Sequence, residues 1–195
     1  MRTPRKRWIW CCNSETMALK ILKKLLLAFV ALIVLFLLTG FFLPGTYHVE
    51  RSVAIKGKAE DVYPFISDLK TWNDWTAWNK ARFPDMTQEF AAITSGEGAS
   101  YSWKGKDSGE GTIKIVKSDP EKGISYYLDF AHGQHISTGD IRMEPAGDSV
   151  KVTWTNEGNL GMNPINRYFG LLLMDKFMGP DFEKGLTNLK AKAEK

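Results

Sequence analysis

Residues 111–131 read GTIKIVKSDPEKGISYYLDFA. In the first half Ile113 and Ile115 share a face; in the second, Ile124, Tyr126, Leu128 and Phe130 do. A period of two marks strands with one buried side. Between them Asp119-Pro120-Glu121-Lys122-Gly123 combines a residue that presets φ with one that tolerates positive φ, which makes a turn. The stretch therefore predicts an antiparallel hairpin.

The same grammar extends in both directions. Gln88–Ile93 and Ala99–Lys104 precede the hairpin, and Ser137–Glu144 and Ser149–Thr155 follow it, separated by turns at 95–98, 105–109 and 145–148. Tyr101 and Trp103 share a face, as do Val150, Val152 and Trp154. Upstream, Tyr47–Ile55 alternates as another strand, with Arg51 interrupting the face of Tyr47, Val49, Val53 and Ile55. Ala59–Leu69 places Val62, Phe65, Ile66 and Leu69 at helical spacing, and Pro64 keeps that helix short or kinked. Trp72, Trp75 and Trp78 drift around one side of a further helical turn, a pattern that suits packing. At the C-terminus Ile165, Phe169, Leu172, Leu173 and Phe177 fall on one helical face, and Phe182, Leu186 and Leu189 continue it beyond Gly179-Pro180, where a break or kink is expected. The predicted class is α+β: a curved seven-stranded antiparallel sheet around one long C-terminal helix.

Ahead of this domain Leu25–Leu43 reads LLLAFVALIVLFLLTGFFL, without a charge. With Ile21 and Leu22 it makes a helix of roughly 30 Å, enough to cross a hydrocarbon core. A transmembrane helix is expected over 21–43, preceded by a basic cytoplasmic tail at 1–20 and followed by the folded domain at 46–195. Seven of the 26 basic residues and one of the 22 acids, Glu15, lie in residues 1–45, so the domain itself is slightly acidic. The positive side of a span stays in the cytoplasm, which places residues 46–195 outside. A cleaved signal peptide is the competing reading, but the apolar run exceeds the usual core and no small-residue cleavage site follows it. Met17 is the expected initiator, and adjacent Cys11 and Cys12 read as incidental. With 44% hydrophobic and 25% charged residues, the composition excludes a disordered or collagen-like chain. The acidic domain argues against nucleic acid as a partner.

The order of elements resembles the helix-grip fold of the START-like (SRPBCC) superfamily, and within it the polyketide cyclase/dehydrase and lipid transport branch. The resemblance rests on Val49–Ile55, Glu60–Asp68, Trp72-Asn73-Asp74-Trp75, Gly109-Glu110-Gly111, Val152-Thr153-Trp154 and Phe182–Lys190. It implies a deep apolar cavity between sheet and C-terminal helix that holds a lipid or other hydrophobic small molecule. An N-terminal anchor is similar to many bacterial members, which implies an inner-membrane protein with its domain on the periplasmic side. No particular reaction comes with the fold.

The chemistry legible in the residues is sparse. No nucleophile elbow, phosphate loop or zinc-protease motif occurs. His132 and His135 are three apart and face opposite sides of a strand, so no metal site is expected, and no cofactor. Tyr126, His132 and His135 are the candidate acid–base groups; Asp129 and Arg142 alternate with apolar neighbours and should face solvent. Tyr126 reads equally as a core tyrosine with a satisfied hydroxyl. The expected cavity lining is Tyr101, Trp103, Tyr126, Phe130 and Trp154 from the sheet and Phe169, Leu172, Leu173 and Phe177 from the helix. Three functions remain open: a membrane-anchored binder of a lipid or hydrophobic molecule, a cyclase- or dehydratase-like enzyme using the same cavity, or an interaction module displaying Trp72, Trp75 and Trp78.

Overall fold

The computed structural model describes residues 11–131, 133 and 135–195, with side chains from Met17 onward. The basic residues before position 11 and His132 lie outside the described set. The order is helix α1 (Cys11–Gly40), strand β1 (Thr46–Lys56), helices α2 (Ala59–Ser67) and α3 (Trp72–Trp75), strands β2 (Thr87–Phe90), β3 (Ser100–Gly105), β4 (Gly109–Asp119), β5 (Gly123–Phe130), β6 (His135–Ala146) and β7 (Ser149–Asn159), then helices α4 (Pro164–Phe169) and α5 (Asp175–Ala193).

All seven strands form one antiparallel sheet in the order β1-β7-β6-β5-β4-β3-β2. A bulge between Ile115 and Lys117 leaves Val116 exposed and adds local bend. The expected α+β class and seven-stranded sheet are what the chain forms. Alternation sends Ile113, Ile115, Ile124, Tyr126, Ile141, Met143, Val152 and Trp154 to the inner face. There they meet Val62, Ile66, Leu69, Trp72 and Trp75 from α2 to α3 and Phe182, Leu186 and Leu189 from α5.

Arg51, the interruption in β1, is explained by its partners on α5. Its guanidinium pairs with Asp175 at 2.8 Å and Glu183 at 2.7 Å. Gly179 makes room: a Cβ there would collide with the Arg51 guanidinium.

The C-terminal helix departs from expectation. It continues without a break through Gly179-Pro180, and a π-helical turn lies before it at Gly170–Met174. Proline forfeits one helical bond and costs about 3 kcal/mol. Burial of Phe182, Leu186 and Leu189 against the sheet outweighs that loss, at about 1.5–3 kcal/mol for each such side chain.

Within α1, Met17–Gly40 is long and apolar enough to cross a membrane, and no residue of its 18-residue apolar window is buried by the rest of the chain. It is therefore not a core helix. Its C-terminal end packs on α4: Tyr168 stacks on Phe36 at 4.1 Å and its hydroxyl lies 2.5 Å from that of Thr39. The Arg167 guanidinium donates to the carbonyls of Phe41 at 2.7 Å and Leu43 at 3.1 Å. These carbonyls belong to the turn that follows Gly40, so the cation sits just beyond the C-terminal end of α1, where it complements the helix dipole. Gly40 permits the approach, because a Cβ would come within 2.5 Å of Pro164.

Candidate functional site

An apolar cavity of about 80 Å³ lies between the inner face of the sheet, α3 and α5. Each strand contributes the residues that its alternation turns inward: Tyr101 and Trp103 from β3, Ile113 from β4, Tyr126, Leu128 and Phe130 from β5, Trp154 and Asn156 from β7. Trp72, Thr76, Trp78 and Met86 close one side, and Met178 and Phe182 of α5 the other. The half-buried members, Trp78, Leu128, Phe130 and Met178, mark its opening. Trp154 and Phe182 stack at 4.1 Å and fill much of the remaining interior.

The polar groups on the wall are already partnered. Tyr126 donates to the Thr155 carbonyl at 3.2 Å and accepts from Trp154 Nε1 at 3.0 Å and Asn156 Nδ2 at 3.4 Å. Asn156 in turn donates to Ser137 Oγ at 3.2 Å and accepts from the Tyr47 hydroxyl at 2.9 Å. Thr76 donates to the Trp72 carbonyl at 2.8 Å. Burial raises the Tyr126 phenol to about 12, although the bonds from Trp154 and Asn156 pull the other way. Burial likewise raises Tyr101 to about 12 against the opposing bond to Gln88. Both phenols therefore stay protonated at neutral pH. Among the described residues lining the cavity, none carries a charge.

The structure brings Tyr101, Trp103, Tyr126, Phe130 and Trp154 together as one wall. It does not bring Phe169, Leu172, Leu173 and Phe177 there: all four are exposed, and Met178 and Phe182 face the cavity instead. Helical periodicity showed an apolar face but not which apolar surroundings it meets. His135 is exposed at the start of β6; it pairs across the ladder with the wall residue Phe130 but does not itself line the cavity. Asp129 turns to the outer side of the sheet, where its carboxylate accepts from the Gly133 N–H at 2.5 Å. Arg142 is also outside, within 3.7 Å of Glu50 and 3.8 Å of Asp140.

The three tryptophans do not form an exposed partner surface. Trp72 and Trp75 are buried, their indole N–H groups donating at 3.0 Å to the carbonyls of Ile66 and Phe65, and Trp78 is half-buried at the cavity opening. Asn156 was missed because the strand expected to stop at Thr155 runs to Asn159; two more residues of alternation put Asn156 on the face of Val152 and Trp154. A second, larger hollow of about 440 Å³ lies on the outside of the sheet near Gln88, Lys104 and Glu110; it is open and polar.

A curved antiparallel sheet gripping a C-terminal helix around an apolar hollow defines the START-like, helix-grip class. The chain belongs to the polyketide cyclase / dehydrase and lipid transport family, whose match covers residues 46–194. No curated protein matches the chain. Among solved structures, protein CV1439 from Chromobacterium violaceum is 13% identical with a TM-score of 0.53, over 78% of this chain and 99% of that one. The KanY protein is 15% identical with a TM-score of 0.56, over 78% of this chain and all of that one (100%). The di-domain ARO/CYC protein StfQ from the steffimycin biosynthetic pathway is 14% identical with a TM-score of 0.55, over 76% of this chain but only 51% of that one. At such identities the likeness is one of fold.

Proposed function

We propose that this protein is a single-pass, membrane-anchored domain that binds an apolar group of a lipid or other hydrophobic small molecule without converting it. The observation that carries this reading is a cavity walled by aromatic and aliphatic side chains, whose polar members Thr76, Tyr101, Tyr126 and Asn156 already have protein partners. Such a wall rewards apolar contact, and among the described residues lining it no side chain is placed to move a proton. Its size sets the ligand. Pockets for drug-sized molecules measure about 300–1,000 Å³, so about 80 Å³ takes a chain terminus or part of a ring rather than a whole lipid. Met86 and Met178, flexible and unbranched, are the wall residues best able to give way to more.

The anchor is retained in this reading. Residues Pro164, Arg167 and Tyr168 of the folded domain are shaped to receive the end of α1, an arrangement without purpose for a segment removed by cleavage. Basic residues before the span set the N-terminus in the cytoplasm and residues 46–195 on the periplasmic side of a bacterial inner membrane.

The test is native mass spectrometry and solvent extraction of the full chain, purified from its own host in mild detergent. A retained apolar molecule, lost in a Met178→Trp variant that fills the opening, supports binding. A protein that emerges empty and ignores fatty acids, phospholipids and aromatic polyketides refutes it.

A further inference from the structure

The segment from Met162 to Phe177 carries an unusual density of exposed apolar side chains: Met162, Ile165, Phe169, Leu171, Leu172, Leu173 and Phe177. Leu172 is 58% exposed and Phe177 62%. Phe169 and Phe177 stack on one another at 5.7 Å, so the face is continuous across the π turn. Two of its three charged residues are engaged elsewhere, Arg167 with carbonyls of the turn after α1 and Asp175 with Arg51. Monomeric domains in water rarely leave so large a patch uncovered.

What covers it is indicated by its position. The segment is joined to the outer end of α1 by Tyr168 on Phe36 and Thr39 and by Pro164 on Gly40. Phe36 lies four residues inside the end of α1, a rise of about 6 Å. That depth matches the roughly 5–10 Å to which an interfacial helix sinks its apolar face. Tyr168, an aromatic ring with a polar tip, is also the residue type enriched at that level.

We propose that residues 162–177 lie in the outer interfacial layer of the bilayer that α1 crosses, with Ile165, Phe169, Leu172 and Phe177 among the acyl chains. The inference rests on α1 being a retained anchor. It adds a proximity: Met178, at the cavity opening, is the residue after Phe177, one helical step of about 1.5 Å along the axis, so the opening lies beside the embedded segment and within short reach of a lipid tail. At the other end of the sheet, the turn around Ala146 is carried away from the membrane, since Ser149, its partner, pairs with Lys56 while Thr46 beside the anchor pairs with Asn159.

The test uses the full chain with Cys11 and Cys12 replaced by serine, reconstituted into phosphatidylcholine–phosphatidylglycerol vesicles. Single cysteines at Leu32→Cys, Leu172→Cys and Ala146→Cys carry an environment-sensitive nitrobenzoxadiazole dye, and vesicles with brominated acyl chains serve as quencher. The expected result is at least two-fold quenching at positions 32 and 172 and none at 146, with Phe177→Cys repeating the behaviour of position 172. Quenching at 32 without quenching at 172 and 177 overturns the interfacial placement and leaves the anchor standing. No quenching at 32 overturns the anchor, and this proposal with it. A dye at 172 that is blue-shifted but unquenched, with disulfide-linked dimers of unlabelled Leu172→Cys chains, assigns the patch to a second copy and also overturns it.

Discussion

Replacing Tyr126 by Phe separates a structural hydroxyl from one available for chemistry. The ring, which packs against Trp72 at 5.9 Å between centroids, is kept. The hydroxyl that joins Trp154 Nε1, Asn156 Nδ2 and the Thr155 carbonyl is lost. Asn156 keeps its bond to Ser137, so its loss is partial, whereas the indole N–H of Trp154, a residue only 3% exposed, makes no second hydrogen bond among the described residues. A buried donor left without a partner costs about 1–3 kcal/mol, and we take about 2 kcal/mol for the variant. At about 2–4 °C per kcal/mol for a domain of this size, the Tm falls by about 4–8 °C. Near-ultraviolet circular dichroism of the full chain in detergent, scanned with temperature, reads that shift, and ligand retention is measured alongside. A Tm within about 1 °C of the parent, combined with loss of bound ligand, would refute the reasoning: the hydroxyl would then serve the ligand and not the core.

Other expectations follow from neighbouring contacts. Phe182→Ala removes the ring stacked on Trp154 and should cost about 3–5 kcal/mol; the enlarged cavity should take up N-phenylnaphthylamine more strongly, and unchanged dye fluorescence would count against the assigned wall. Gly40→Leu forces a side chain into Pro164 and should undock α1 from α4, seen as several-fold faster proteolysis at residues 41–45; an unaltered digestion rate argues that the contact does not form. Asp175 is held below the usual carboxylate range by the hydrogen bonds from Arg51. Its folded pKa is the lower one, so its stabilisation is present above the unfolded value of about 3.9 and fades as pH falls through the folded value. Between about pH 5 and 2 the parent should therefore lose more stability than Asp175→Asn, by a small amount because the pair is near the surface; parallel curves would sink the assignment.

Most of the fold was legible because it is written in local patterns. The hairpin at 111–131 forms around Asp119–Gly123, with an unforeseen bulge between Ile115 and Lys117, and alternation turned Tyr101, Trp103, Tyr126, Phe130 and Trp154 to one side. Arg51 was visible as an exception to its strand, but its reason was 124 residues away in Asp175. The helical half of the site was misjudged. Phe169, Leu172, Leu173 and Phe177 have the same spacing whether they face a protein cavity or a bilayer, and a π turn that no spacing announces changes which residues follow inward. The tryptophans show a related ambiguity, since only the packing of α3 under the sheet tells a buried Trp75 from an exposed one.

By itself, then, the order of residues determined the strand alternation, the turns, the uncharged span before the domain and the absence of cysteine from residues 46–195. These depend on neighbours within a few positions, which is the range over which backbone geometry and hydrophobic period act. Tertiary structure decided that the cavity is nearly filled by Trp154 and Phe182, that the Tyr126 hydroxyl is consumed by Trp154, Asn156 and Thr155, and that α4 holds the end of α1. Each of these joins residues far apart in the chain, and whether two apolar faces meet each other, a ligand or a membrane is settled by shape and not by composition.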